Sequence, residues 1–340
     1  MGPPPVDRAE ALFGLVLDCV TMSMEHVLQL LKESQEIRQI RDALDRGSRG
    51  IRVEGLAAAA KSLFAAAIRG VWNRPMLLVT YNYEQAERLY EDMAALGIGN
   101  GDLLLLPPAD SMIYQEGDTD LDVISRRLSA LTNLTDGKPV VVVAPIAAVL
   151  QRTLPPETLA AHRMRVEKSR DLDLEECALR LVELGYERVQ MVERQGEFSR
   201  RGGILDIFPS TKESPVRIEL FGDEVESIRS FDVETQRSAG DEDFVDIAPA
   251  REILLDAERA SAAADTLSEL LEVQAAGLEK RSDADAAGKL RRKVEGDVLH
   301  IRNQSYFDGV EYYFPAVYTQ ECSLLDYCLL YTSPSPRDRS

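Results

Sequence analysis

Three continuous apolar runs do most to limit what this chain folds into: residues 76–80 (MLLVT), 103–106 (LLLL) and 140–144 (VVVVA). A strand that is apolar at successive positions, with no polar alternation, is buried on both faces, as in a parallel sheet covered by helices. Helical patterns stand between the runs. Asn82 followed three residues later by Gln85 opens one, Ala86, Leu89, Tyr90 and Met93 form its apolar stripe, and Gly97 ends it. Strands alternating with helices predict an α/β layered domain over residues 46–163, behind an N-terminal extension and helix over residues 1–45.

The grammar changes near Met164. Asp173 caps a further helix, with Glu176 in its first turn. Leu174, Cys177, Ala178, Leu181 and Val182 are predicted to share its buried side, and Gly185 terminates it. Shorter strands of antiparallel type follow. Residues 204–208 run to Pro209, a loop leads to Pro215, residues 216–221 form the next strand, and Gly222-Asp223 turns the chain into residues 224–231. This is a small α+β module, residues 164–249, inserted after the α/β core. Residues 250–327 return to helix: 257–276 is rich in Ala, Leu and Glu, and 279–297 is charged enough to predict a solvated helix or linker.

Both ends of the chain are set apart. Met24 opens a well-formed helical pattern, so the start is expected at Met22 or Met24 with the leader an over-extended reading frame. Residues 328–340 read as a non-native, adaptor-derived tail, and the natural chain is expected to continue beyond it.

Charge and composition exclude some functions. The formal net charge is -19, from 39 Lys and Arg against 58 Asp and Glu. Duplex binding runs on phosphate neutralisation by cations, so a chain this acidic is a poor autonomous DNA binder. No apolar run approaches the roughly 20 residues of a membrane helix. Residues 11–20 are apolar, but Asp7 and Glu10 precede them where a signal peptide wants positive charge, and a cytoplasmic protein is expected. Cys19, Cys177, Cys322 and Cys328 form no CxxC pair and His26, His162 and His300 are scattered, so buried reduced thiols are expected and no metal site.

Two places carry candidate chemistry. Gly55-Leu-Ala-Ala-Ala-Ala-Lys61-Ser62 follows a predicted short strand at 51–53 and opens a helix, the context of a phosphate loop. Ala60 stands where that loop needs its second glycine, and the crowding Cβ together with four helix-forming alanines points to a degenerate site. A working ATP site with Lys61 on the phosphates is the competing reading. The second place is the strand at 216–221. Alternation puts Val216, Ile218 and Leu220 on one face and Arg217, Glu219 and Phe221 on the other. If the aliphatic face takes the core, Arg217 and Phe221 are left outside with the composition of an interface anchor, and Arg201 is placed to join them. Phe221 folded over the module's edge, with the arginines as ordinary surface charges, stays open as the alternative.

The string Glu197-Phe-Ser-Arg-Arg-Gly-Gly-Ile-Leu-Asp-Ile-Phe-Pro209, with Phe231-Asp-Val-Glu-Thr-Gln-Arg237, closely resembles the transcription-repair coupling factor (Mfd) family, in the module that family shares with the excision-repair helicase UvrB. The resemblance covers residues 24–327. It implies a UvrB/RecA-like parallel-sheet domain whose ATP loop has decayed, an inserted UvrA-binding type module, and an incomplete C-terminal part. The family's UvrA-contacting arginines and phenylalanine fall on Arg201, Arg217 and Phe221. UvrB itself carries an aromatic-rich hairpin where residues 107–134 here hold only Tyr114 as an aromatic, and its phosphate loop is intact. What the resemblance implies is an N-terminal, UvrA-recruiting fragment of transcription-coupled nucleotide excision repair. Such a fragment needs no cofactor and has no enzymatic activity of its own. ATP, Mg, RNA polymerase and double-stranded DNA belong to family domains expected to be absent here, and no membrane is involved. The alternative is an ATP-binding, UvrB-like helicase or damage-recognition fragment, with Gly55, Lys61 and Ser62 on the nucleotide.

Overall fold

The structure is a computed structural model and describes residues 24–56, 59–99, 101–109 and 121–329. The choice between Met22 and Met24, the position of Tyr114 and the tail beyond Leu329 lie outside the described residues.

Helices α1 (Met24–Lys32), α2 (Gln35–Asp45) and α3 (Ala60–Val71) lead into a sheet of β1 (Met76–Thr80), β2 (Leu103–Leu105) and β3 (Val141–Pro145). Its order is β1-β3-β2, and both pairings are parallel. Helix α4 (Tyr83–Ala95) starts as predicted, with Asn82 Oδ1 accepting from the Gln85 amide at 2.9 Å. Alternate residues of β3 feed two cores. Val141 and Val143 pack with Ala65, Ala66, Ala86 and Met93 of α3 and α4. Val142 and Ala144 pack with Leu128 and Leu131 of α5 (Leu121–Thr135). The central strand is therefore covered on both faces, as its unbroken apolar run requires. β1 departs from that expectation. It is an edge strand, only half-buried, with Val79 49% exposed. The predicted strand at 51–53 is not formed. Those residues carry no regular structure, and Ile51 and Val53 are exposed. A strand needs a neighbour for its backbone groups, and no described strand lies beside this one.

Short helices α6 (Ile146–Leu150) and α7 (Pro156–Ala161) lead to the inserted module. Strand β4 (Met164–Glu167) pairs antiparallel with β11 (Phe244–Ile247), closing the module's base. Between them lie α8 (Leu174–Glu183) and the strands β5 (Glu187–Arg188), β6 (Glu197–Arg201), β7 (Ile204–Ile207), β8 (Val216–Phe221), β9 (Glu224–Phe231) and β10 (Ser238–Asp241). The six strands form one sheet in the order β10-β9-β8-β7-β6-β5. Asp173 caps α8, accepting from the Glu175 and Glu176 amides. Cys177 and Leu181 of α8 meet Phe198, Leu205, Val216 and Ile218 from the inner face of the sheet. Val182, predicted on the buried side, is 44% exposed. At 100° per residue it lies about 140° around the helix from Cys177.

The chain then returns to the first body. α9 (Ala257–Lys280) and α10 (Ala284–Arg302) form a helical hairpin, α9 burying Ala260, Ala263 and Ala264 in the core under β3. The segment at 279–297 is thus mostly helix α10, tied back to α9 by ion pairs such as Arg291 to Glu279 at 2.6 Å. A 3-10 turn (Val310–Tyr313), α11 (Phe314–Val317) and α12 (Leu324–Leu329) complete the fold. α12 runs two residues into the segment read as a tail. The linker at 248–255 fixes the module in place. Arg127 of α5, fully buried, pairs its guanidinium with Glu252 and donates to the Pro107 carbonyl at 2.9 Å. Tyr186 of the module donates to Ala248 O at 2.8 Å, and Tyr318 donates to Glu252 O at 3.0 Å.

Candidate protein-interaction site

Two tight turns lie side by side at one end of the six-stranded sheet. Gly202-Gly203 joins β6 to β7, and Gly222-Asp223 joins β8 to β9. Gly202 and Gly222 have φ of +60° and +66°, the left-handed value that the first residue of a type II′ hairpin turn adopts. The Leu220 amide donates to Gly203 O at 2.9 Å, and a Cβ on Gly203 would meet the Leu220 carbonyl at 3.2 Å. The two tips therefore touch by backbone, and the glycine permits that approach. Phe221 stands on this edge 80% exposed, and Ile204 beside it is 38% exposed. Arg201 closes β6 at the same end, exposed, with one guanidinium N–H donated to Gln190 O. Sequence reasoning named Phe221 and Arg201. It missed Ile204, whose alternation from the buried Leu205 was the available signal.

Arg217 lies on the outer face, as the alternation predicted, but not as an open anchor. Its fork is occupied inside the module by both oxygens of Asp206, at 2.7 and 2.8 Å, and its Cζ lies over the Phe231 ring, 4.7 Å from the ring centre. The side chain is 23% exposed and that of Asp206 16%. Hydrogen bonding to Asp206 is the first cause that raises the Arg217 pKa. Arg217 also lies four residues from Phe221, roughly 13 Å along an extended strand. It is a component of the sheet's outer face, not a free cation beside Phe221. The reason is cross-strand register. Asp206, Arg217 and Arg229 are consecutive partners on three strands. Glu219 continues the pattern, accepting from Ser227 Oγ at 2.7 Å and pairing with Arg229 at 3.5 Å.

The far end of this outer face is closed. Val192 of the β5–β6 connection packs with Phe208 and Phe231 in a small second core. Ser199 Oγ donates to Gln190 O at 2.9 Å, holding that connection down.

Of the loop at 55–62, the described residues include Gly55, Lys61 and Ser62. Gly55 has φ of +84°, but Ser62 is buried, with its hydroxyl donating to Asp92 Oδ2 of α4 at 2.7 Å. Lys61 is exposed on α3. Ala57 and Ala58 lie outside the described residues. A hydroxyl committed to a neighbouring helix is not aimed at a phosphate or Mg²⁺, so Ser62 as placed does not fit that group. Cys177 and Cys322 are buried free thiols, as expected. Burial, followed by the carboxylates of Asp173 and Glu176, pushes Cys177 up to about 11. Among the described residues no cluster of His, Cys, Asp and Glu has metal-site geometry, and no helix is long and apolar enough to cross a membrane.

Residues 164–253 match the UvrB interaction domain family. Fold and site together define a protein-interaction module of UvrB type on an α/β base. A transcription-repair-coupling factor of Bacillus subtilis is 34% identical over 305 residues, 89% of this chain and 26% of that protein. That of Myxococcus xanthus is 36% identical over 76% of this chain and 22% of its own length. That of Staphylococcus aureus strain USA300 is 33% identical over 82% and 23%. Over this stretch the chain belongs to the transcription-repair-coupling factor family, and it spans about a quarter of the length of these relatives.

Proposed function

We propose that this stretch recruits UvrA in transcription-coupled nucleotide excision repair, by docking the hairpin tips of the module onto it. The observation that carries the reading is Phe221, an aromatic ring 80% exposed on a tip built rigidly by two adjoining turns. A large ring left in water on a fixed backbone has the form of a binding anchor, because its burial by a partner recovers hydrophobic free energy at little entropic cost. Ile204 widens the apolar contact, and Arg201 supplies charge-assisted hydrogen bonds at the rim. Arg217 acts as a positioning residue, holding β7 against β8 through Asp206. The α/β base follows a UvrB/RecA-like plan with a decayed phosphate loop, and the stretch works without ATP or enzymatic chemistry of its own. The commitment of Ser62 to Asp92 supports that part. In the longer relatives, ATP-driven translocation and contacts with RNA polymerase and double-stranded DNA fall to other regions. Cytoplasmic location follows from the same reading.

The test is calorimetric titration of the chain with purified UvrA. Phe221→Ala is expected to weaken binding by about 2 kcal/mol, roughly 30-fold, with the unfolding midpoint unchanged. Wild-type affinity in an Arg201→Ala/Phe221→Ala double variant would remove the proposal.

A further inference from the structure

Helix α8 buries Cys177, Ala178 and Leu181 against the sheet, which completes its part in the core. Two further apolar side chains face away from it. Leu179 is 67% exposed and Val182, one turn on, is 44% exposed. Beside Leu179, though not Val182, a groove of about 570 Å³ runs between α8 and the segment leading into it. Met164, Leu172 and Cys177 form its apolar lining and Leu179 its lip. Fully burying a leucine is worth about 1.5–3 kcal/mol, and the fold leaves that unused here.

The rim of the groove is acidic. Asp171, Asp173, Glu176 and Glu183 line it, against the single cation Arg180, whose guanidinium is turned onto Glu183 at 3.1 Å. The neighbouring Arg170 is directed at Glu167, at 3.7 Å. An open leucine on the lip of a trough lined by apolar side chains is an element of helix-in-groove recognition, and an acidic rim selects the charge of the occupant. The groove also adjoins the candidate site. The Leu172 amide donates to Asp223 O at 2.8 Å, and Asp171 bridges to Glu224, so its end abuts the turn that follows Phe221.

We propose that this groove is a second docking surface, and that its occupant is a cationic amphipathic helix of a protein partner. The inference goes beyond UvrA docking at the hairpin tips and does not depend on it. The probe is a fluorescent, acetylated peptide of about five helical turns, with leucines at i, i+3, i+4 and i+7 and lysines elsewhere, titrated against the full chain by anisotropy. Saturable binding is expected, weakened about tenfold or more by Leu179→Ser. Glu176→Gln is expected to reduce its salt dependence, and Phe221→Ala to leave it unchanged. The same peptide with glutamates in place of lysines is expected not to bind. Equal affinity for wild type and Leu179→Ser, or equal binding of the glutamate peptide, would overturn the proposal. Either result would leave the Phe221 site untouched, because that site is read by UvrA titration.

Discussion

The outer face of the module's sheet has two ends built from the same strands, and they differ in what becomes of their large side chains. At one end Phe208 and Phe231 are buried under Val192, and Arg217 is spent on Asp206 and the Phe231 ring. At the other end Phe221 and Ile204 stand open, and Arg201 makes one described hydrogen bond, to Gln190 O. The closed end is held by the connection at 189–195, and the open end stops where two glycine turns meet. An arginine and a phenylalanine four residues apart on β8 thus serve opposite purposes. One holds the sheet together and the other is offered outward.

Substitutions sharpen that contrast, and the largest effect is expected away from both ends. Arg127→Met leaves Glu252 without its cation at the buried junction between module and base. It should lower stability by about 3–5 kcal/mol, read as a fall in the urea midpoint. Arg217→Met belongs to the closed end. It strands Asp206 in a half-buried site and is expected to cost about 1–3 kcal/mol of stability, with UvrA affinity falling only as far as the module loosens. If Arg217→Met proved neutral in stability but abolished UvrA binding, Arg217 would belong with the open end. Phe221→Ala should alter stability by less than about 0.5 kcal/mol, since the ring touches little that folding buries. Its effect belongs to partner affinity. Arg201→Ala should be smallest, with stability unchanged to within about 0.5 kcal/mol and UvrA binding weakened several-fold, more at low salt than at high.

Much of the local architecture was legible along the chain. The caps at Asn82 and Asp173, the turns at Gly202 and Gly222, and the period-two burial of Val216 and Ile218 all follow from short-range chemistry. The expectations that did not hold share a cause. Residues 51–53 have strand composition, yet a strand exists only beside a partner. β1 has the apolar run of a central strand and sits at an edge. Val182 is apolar but lies about 140° around α8 from Cys177, away from the sheet that its neighbours pack on.

The sequence by itself determined the capped starts of α4 and α8, the turn at Gly222-Asp223 and the alternation that sets Arg217, Glu219 and Phe221 apart from Val216 and Ile218, because caps, periodicity and turn glycines act over a few residues. Only the tertiary structure decided that Arg217 is paired with Asp206, that Ser62 is turned onto Asp92, that Phe221 stays open to solvent, and that Ile204 is exposed at the same end of the sheet. Those outcomes depend on which strands and helices become neighbours and in what register. That is fixed by burial of the whole core rather than by any residue's own preference.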